Sequence, residues 1–213
     1  MEFFNLHTHT FSNNLDIIEI VNQYPKEFIN NNKPFSIGIH PWKVVDNDIE
    51  AEMVIINNQA NYPSCLAIGE CGLDKRVTVD FDLQTQVFQK HLLIAQRINK
   101  PVIVHCVGAF QELIAIKNDL KIDVPIIIHG FSKNKALAKQ LIKEGFYLSF
   151  GKYLMLNPDL EETFLTIPNE RFFLETDSSN YKIQEIYHKA AFYKKCTLVE
   201  LKQIINYNFQ KVF

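Results

Sequence analysis

The sequence lacks a long apolar run, an excess of charge of one sign and paired cysteines, and each absence excludes a class of protein. No apolar stretch approaches the roughly 20 residues that span a bilayer, so we expect no membrane contact. A formal net charge of −2 over 213 residues gives no broad basic surface, which excludes extended binding along duplex nucleic acid. The first residues turn polar before a signal peptide could form, and we therefore expect a cytoplasmic protein.

The four cysteines are scattered and contain no C-x-x-C pair. Such spacing is typical of reduced thiols in the cytosol and not of a disulfide framework. We interpret all four as packing residues: Cys65, Cys71, Cys106 and Cys196.

Low-complexity tracts, Gly/Ser linkers and repeats of fixed period are also absent from the sequence. Hydrophobic residues make up 47% of the chain and charged residues 22%, a composition that supports a sizeable core. We therefore expect residues 1–213 to form a single domain that works as a monomer.

The sequence does contain short apolar runs rich in β-branched and aromatic residues, which predict strands. Eight such runs cover residues 3–6, 17–21, 35–39, 66–68, 102–104, 124–128, 146–149 and 172–174. Helical patterns lie between the later runs. The clearest spans residues 81–98, another runs from an N-cap at Ser132 to a stop at Gly145, and a third opens with a capping box of Thr197 and Glu200.

Strands that alternate with helices predict parallel βαβ units and an α/β fold. Eight strands in this alternation favour a (β/α)8 TIM-type barrel, shortened in its first third, where no strong helical stripe separates the second and third runs. An open, doubly wound sheet is the alternative that the same pattern allows.

Side chains that can bind metal stand at the ends of these predicted strands. His7-Thr8-His9 follows the first run, where period-2 alternation points both imidazoles to one side. Later runs are followed by Glu70, His105, His129 and Asp177. Each residue alone could be a cap, a core histidine or an Asx turn. In a parallel barrel, however, all strand carboxyl ends open on one face, so the six residues are predicted to converge.

Four histidines and two carboxylates can hold two divalent cations. A carboxylate has two oxygens to share, so Glu70 is the natural bridge. The mixed nitrogen and oxygen ligands suit Zn²⁺ or Mn²⁺, and Mg²⁺ is allowed if substrate oxygens and water complete its shell. The six residues therefore predict a binuclear metal centre.

The same residues fall in an ordered series of motifs that resembles the TatD-related metal-dependent hydrolases, a branch of the amidohydrolase-like barrels. The motifs run through the chain: His7-Thr8-His9, Gly38-Ile39-His40-Pro41, Ile68-Gly69-Glu70-Cys71-Gly72-Leu73-Asp74, Pro101-Val102-Ile103-Val104-His105, His129-Gly130-Phe131-Ser132 and Glu175-Thr176-Asp177-Ser178. The resemblance implies one metal held by His7, His9, Glu70 and Asp177, and a second held by Glu70, His105 and His129.

The resemblance also implies phosphodiester hydrolysis, with deoxyribonuclease activity that trims single-stranded or frayed DNA from 3′ ends. Asp177 would orient and deprotonate the attacking water while the metals polarise the phosphoryl oxygens. His40 matches a position that faces the site, where it could bond a phosphate oxygen or the leaving group, or else be a turn histidine before Pro41. Asp74 could support a metal-binding histidine or cap a helix.

Several residues depart from the family's pattern. Asn5 stands where Asp is usual, Val107 where Arg is usual, Lys75-Arg76 replaces an aromatic pair, and Ser179 stands where Pro is expected. An arginine would hold a phosphate oxygen in bidentate fashion. Lys75 or Arg76 could supply the charge instead, or be solvated. The substrate therefore stays open among DNA, RNA, another small phosphoester and an acyl ester.

Two other functions are compatible with these residues. The same metals could activate water against a carbonyl, which would give an ester or amide hydrolase, including deacylation of aminoacyl-tRNA. The non-catalytic alternative is a scaffold that binds metal without turnover. Outside the motifs, His91 and His188 are predicted to lie on helix surfaces. Most aromatic residues are predicted to be core, and only Phe11, Trp42 and Phe131 to contact a substrate.

Overall fold

The computed structural model describes residues 2–30 and 32–213, in which strands and helices alternate. The strands are β1 (Phe3–Thr8), β2 (Ile17–Gln23), β3 (Phe35–Ile37), β4 (Cys65–Asp74), β5 (Val102–Val107), β6 (Ile126–Ile128), β7 (Tyr147–Phe150) and β8 (Phe172–Leu174). The α-helices are α1 (Ile49–Gln59), α2 (Phe81–Ile98), α3 (Phe110–Asp119), α4 (Lys135–Lys143), α5 (Lys152–Leu156), α6 (Leu160–Leu165), α7 (Ile183–Lys194) and α8 (Leu198–Val212).

The strands form one eight-stranded sheet in which their order is the order of the chain, β1 to β8. A doubly wound sheet reverses its strand order at a switch point, and this sheet has no reversal. The predicted (β/α)8 fold class is therefore confirmed. Between β2 and β3 the described chain contains only a 3₁₀ turn, Pro25–Glu27, in place of an α-helix. The barrel is therefore shortened in its first third, as the sequence predicts.

The chain divides into two compact units. The terminal unit comprises Met1–Val21 and Ile127–Phe213, and the central unit comprises Asn22–Ile126. That residues 1–213 act as one domain stays a prediction.

In the terminal unit, neighbouring strands pair in parallel, with Phe3 opposite Ile17 and Leu148 opposite Phe172. At the carboxyl ends of β8 and β1, the backbone N–H of Asp177 donates to the carbonyl of His7 at 2.9 Å. Helix α8 begins with the predicted capping box, since the Thr197 hydroxyl accepts from the Glu200 N–H and the Glu200 carboxylate accepts from the Thr197 N–H. A cap of this kind stabilises a helix by about 1 kcal/mol.

In the central unit, β4 lies between β3 and β5 and approaches β5 very closely. A Cβ atom at Gly69 would lie 2.2 Å from the carbonyl oxygen of Ile103, and one at Gly72 would lie 2.0 Å from that of His105. Both glycines also have positive φ, +131° and +143°. Only glycine fits these two positions, which lie on either side of Glu70 in β4.

Helix α2 of the central unit has the predicted bounds, but the predicted position of His91 on it was wrong. His91 was predicted to lie on the helix surface, but it is fully buried beside Phe88 and Leu92. Its Nε2 accepts from the backbone N–H of Ile39 at 2.9 Å, and its Nδ1 lies 2.8 Å from the carbonyl of Val87. Both ring nitrogens therefore have partners, which makes burial of a neutral imidazole tolerable.

Two further predictions need correction. Helix α4 begins at Lys135 with Asn134 as N-cap, its side chain accepting from the Leu137 N–H, and not with Ser132. Phe131 is buried, with 2% of its surface exposed, and cannot contact a substrate. His188 lies exposed on α7 as predicted.

No helix of the described residues is both long enough and apolar enough to cross a membrane.

Candidate metal centre

The terminal unit brings three predicted ligands together at the carboxyl ends of its strands. One ligand atom from each of His7, His129 and Asp177 lies within 4.8 Å of the others. His9 joins this group, since its Nε2 lies 3.3 Å from Asp177 Oδ1, while His7 Nε2 lies 4.0 Å from the same oxygen. His7 is fully buried, whereas the His9 side chain is 27% exposed.

The backbone places Asp177 where β1 and β8 meet. Asp177 has a φ of +52°, a left-handed conformation that is uncommon for a residue with a side chain. Its N–H is held by the carbonyl of His7. One residue earlier, the Thr176 N–H donates to the Asn5 side-chain oxygen at 3.0 Å, and the Asn5 amide donates to the Thr176 hydroxyl at 2.9 Å. Asn5 thus fixes the segment that carries Asp177.

The Asp177 carboxylate is ionised at neutral pH. Burial alone would raise the pKa of Asp177, but a hydrogen bond from His9 and the electrostatic influence of the nearby histidines and Lys152 outweigh burial. Together they hold the pKa of Asp177 well below its usual range. The carboxylate can therefore bind a cation, or accept a hydrogen bond, without first losing a proton.

Glu175 contacts His129 and the backbone of the next residue. Its Oε1 accepts from the backbone N–H of Gly130 at 2.8 Å and lies 3.3 Å from His129 Nδ1. Glu175 itself is fully buried. A carboxylate that orients one ring nitrogen leaves the other nitrogen to face a metal.

The central unit brings together His40, Glu70 and His105, again with ligand atoms within 4.8 Å of one another. Glu70 Oε1 lies 3.1 Å from His40 Nε2 and 3.3 Å from His105 Nδ1. The Glu70 backbone N–H donates to the side-chain oxygen of Asn22 at 2.7 Å. The β4–β5 register shifts between Ile68 and Cys71, and this irregularity surrounds Glu70.

In both histidines of this group, the ring nitrogen that faces away from Glu70 has a hydrogen-bond partner, and this partner determines whether the nitrogen facing Glu70 carries a proton. His40 Nδ1 accepts from the backbone N–H of Trp42 at 3.1 Å, so its Nε2 carries the proton and donates toward Glu70. His105 Nε2 lies 3.1 Å from Asp74 Oδ2 and donates to it, so its Nδ1 carries a lone pair. This lone pair and the Glu70 oxygen are both acceptors that face one another. Either a proton or a cation between them satisfies both atoms, and their separation of 3.3 Å suits two ligands of one ion.

Asp74 and Trp42 hold His105 in this orientation. Asp74 Oδ2 accepts from the Trp42 indole N–H at 2.7 Å, and Asp74 Oδ1 accepts from the Arg76 N–H at 2.8 Å. Burial tends to raise the pKa of Asp74, yet these bonds and the one from His105 lower it overall. Asp74 is thus a hydrogen-bond partner of His105 in the structure, and no helix begins at it.

Both groups fit a divalent cation. Ligands bound to one ion at roughly 2.1 Å stand roughly 3.0 to 3.5 Å apart, and the pairs His9–Asp177 and His105–Glu70 are each separated by 3.3 Å. Imidazole nitrogens with carboxylate oxygens suit Zn²⁺ and Mn²⁺. The spacing and the chemistry of the donors therefore agree with the predicted metal ligands.

The structure also identifies residues that the sequence did not single out. Lys152, at the start of α5, places its Nζ 3.3 Å from Asp177 Oδ2. Glu175 and Asn22 contact His129 and Glu70 as described above. By contrast, Lys75 donates to the exposed Glu112, and Val107 ends β5 without any charge. The sequence signal for Lys152 is its place directly after the seventh strand and Gly151.

Comparisons with known proteins identify the family of this chain. The family model described as TatD related DNase matches residues 2–213. The uncharacterized metal-dependent hydrolase YcfH of Escherichia coli K12 is 28% identical over 200 residues, covering 85% of this chain and 74% of the relative. An uncharacterized metal-dependent hydrolase of Methanocaldococcus jannaschii is 30% identical over 191 residues, covering 84% of this chain and 74% of the relative.

Among solved structures, the TatD homologue YJJV of Escherichia coli K12 superposes with a TM-score of 0.84 at 18% sequence identity. The superposition covers 99% of this chain and 97% of that one, and at this identity it shows the fold. The family model spans nearly every residue and both relatives are metal-dependent hydrolases by name. This chain is therefore a metal-dependent hydrolase that belongs to the TatD-related DNase family.

Proposed function

We propose that this hydrolase is a phosphodiesterase that trims single-stranded or frayed DNA from 3′ ends, with two divalent ions drawn from Mg²⁺, Mn²⁺ and Zn²⁺. One ion would be held by His7, His9 and Asp177 of the terminal unit, and the other by Glu70 and His105 of the central unit. That Glu70 bridges the two ions stays a prediction from the sequence.

The observation that carries the proposal is the state of Asp177. Its carboxylate is ionised, lies beside His9 and Lys152, and stands on a backbone conformation that side chains rarely adopt. Strained residues of this kind cluster at functional sites. A protein that only bound metal would have no need to combine these features at one ligand.

The residues divide the chemistry between them. A carboxylate with a strongly lowered pKa is a weak proton acceptor, so Asp177 orients the attacking water more than it deprotonates it. Bound ions would make that water more acidic and polarise the phosphoryl oxygens. His40 carries its proton on Nε2, because its Nδ1 accepts from Trp42. This proton faces Glu70 in the structure; with Glu70 on a metal ion, it would donate instead to a phosphate oxygen or to the leaving group.

The test uses single-stranded DNA labelled at its 5′ end, incubated with Mg²⁺ or Mn²⁺. We expect a ladder that shortens from the 3′ end and disappears with EDTA. Asp177→Asn should lower the rate by roughly 100-fold, the cost of misplacing a reacting group by about 1 Å. Asp159→Asn is the matched control, because Asp159 is exposed and makes no cap hydrogen bond with α6. Full activity of Asp177→Asn would refute the mechanism.

Two other results would replace the proposal. Hydrolysis of a carboxyl ester without any shortening of DNA would make this an ester hydrolase on the same scaffold. Two equivalents of bound metal with neither activity would make it a metal-binding scaffold. Elemental analysis of the purified protein gives the metal content per chain.

A further inference from the structure

Lys152 is a charged residue that neither the motifs nor the proposed ligand set uses. It directly follows Gly151 after β7, so it stands at the carboxyl end of a strand like the metal ligands of the terminal unit. Its Nζ lies 3.3 Å from Asp177 Oδ2, and its side chain is 31% exposed. The ammonium group is therefore in contact with the Asp177 carboxylate and also reachable from solvent.

The backbone forces Lys152 into this place. The Glu175 N–H donates to the Phe150 carbonyl at 3.1 Å, which joins the end of β7 to the segment after β8. A Cβ atom at Gly151 would lie 2.9 Å from the Glu175 carbonyl oxygen and 3.1 Å from its Cγ. The close approach needs glycine at 151, and it carries the next residue, Lys152, to Asp177. The contact is thus fixed by strand packing.

Asp177 faces His7 and His9 with Oδ1 and Lys152 with Oδ2, so an ion bound at Oδ1 would weaken the attraction between the carboxylate and Lys152. A divalent ion on Asp177 neutralises the carboxylate and repels the ammonium group at short range. Lys152, which solvent also reaches, could then pair with a second anion that enters the site. Lys75, which the sequence analysis named as a possible source of positive charge, donates to Glu112.

We propose that Lys152 is a substrate-binding residue that pairs with an anionic phosphoryl oxygen when the terminal unit holds its ion. This inference rests on the proposed function, since it assumes an anionic phosphoester as substrate. Lysine suits this role as a compact point charge on a flexible stem, which can move from Asp177 to a ligand while its backbone stays fixed.

The test is calorimetric titration of the metal-reconstituted protein with inorganic phosphate. Lys152→Met keeps the length of the stem and removes the charge, and we expect it to weaken phosphate binding roughly 10- to 100-fold, the value of a charged hydrogen bond. Lys152→Arg keeps the charge and should bind phosphate within about 3-fold of the wild type. Lys143→Met is the control, because Lys143 is exposed on α4 of the same unit.

Metal titrations of the same variants separate the alternatives. We expect Lys152→Met to bind metal as tightly as the wild type or more tightly, because a repelling charge is gone. The inference is overturned if phosphate affinity is unchanged in Lys152→Met, if metal affinity falls instead, or if the wild type binds no phosphate. Lys152→Arg shows whether any loss follows from charge or from misfolding.

The outcome differs from that of the DNA assay. If phosphate binding depends on Lys152 and labelled DNA is not shortened, the inference holds and the proposed function fails. If DNA is shortened and phosphate affinity does not depend on Lys152, the proposed function holds and the inference fails.

Discussion

Replacing the buried His91 should change how the stability of the protein responds to pH. Burial lowers the pKa of His91 from 6.5 to about 4, and the hydrogen bond to Val87 opposes this only in part. Between these two pH values the unfolded chain takes up a proton that the folded chain refuses. The free energy of unfolding therefore falls as the pH drops through this window and levels off below pH about 4.

The magnitude follows from the linkage relation. A pKa that falls from 6.5 to about 4 corresponds to a total of about 3 kcal/mol, of which about 2 kcal/mol is lost between pH 7.5 and pH 5. His91→Leu leaves the buried Ile39 N–H without its acceptor, which costs about 1–3 kcal/mol at pH 7.5. The leucine has no proton to bind, so the gap between variant and wild type should narrow by about 2 kcal/mol at pH 5.

The assay is urea unfolding at pH 7.5 and pH 5 in EDTA, which removes any contribution from metal binding. His188→Leu is the matched control, because His188 is exposed on a helix, and its difference from the wild type should not change with pH. His91→Gln keeps a hydrogen-bond donor and an acceptor but does not titrate, so it can replace His91→Leu in the comparison if the leucine variant fails to fold. A gap between His91→Leu and the wild type that is the same at both pH values would refute the reasoning.

Two further variants test the central unit and its glycines. Trp42→Phe removes the indole N–H that donates to Asp74. In a chelator competition the affinity for one metal ion should fall roughly 10-fold, as it does when such supporting partners are lost. Unchanged affinity would show that Trp42 does not support the metal centre. Gly72→Ala should yield no folded protein by circular dichroism because its Cβ meets the His105 carbonyl at 2.0 Å, whereas Gly145→Ala, with nothing within 4 Å, should cost only about 1 kcal/mol.

The fold was predictable because strand and helix periods repeat along the chain and need no knowledge of contacts. The length of β4 was not, since it continues to Asp74 through two glycines that a sequence pattern marks as breaks. His91 was missed for a related reason. Its partner, the Ile39 N–H, lies 52 residues away, and no local period reveals a hydrogen bond of that range.

The candidate ligands were predictable as a set because each stands where a strand ends, but the grouping was not. The resemblance assigned His129 to the same ion as Glu70 and His105, whereas within the terminal unit His129 lies with His7 and Asp177. That assignment of His129 stays a prediction. Lys152 escaped notice because a lysine after a strand is ordinarily solvated, and only the fit of Gly151 against Glu175 shows why it contacts Asp177.

His40 takes its role from a partner close in sequence and His105 from a distant one, so the sequence reveals the role of His40 more readily than that of His105. His40 is the N-cap of the turn Pro41–Lys43, and its Nδ1 accepts from the N–H two residues on. Proline at the first position of the turn favours this geometry, so the His-Pro-Trp motif itself commits Nε2 of His40 to be a donor. His105 depends instead on Asp74, 31 residues earlier in the chain. A donor facing Glu70 is thus set locally, while the neighbouring acceptor exists only once β4 and β5 have paired.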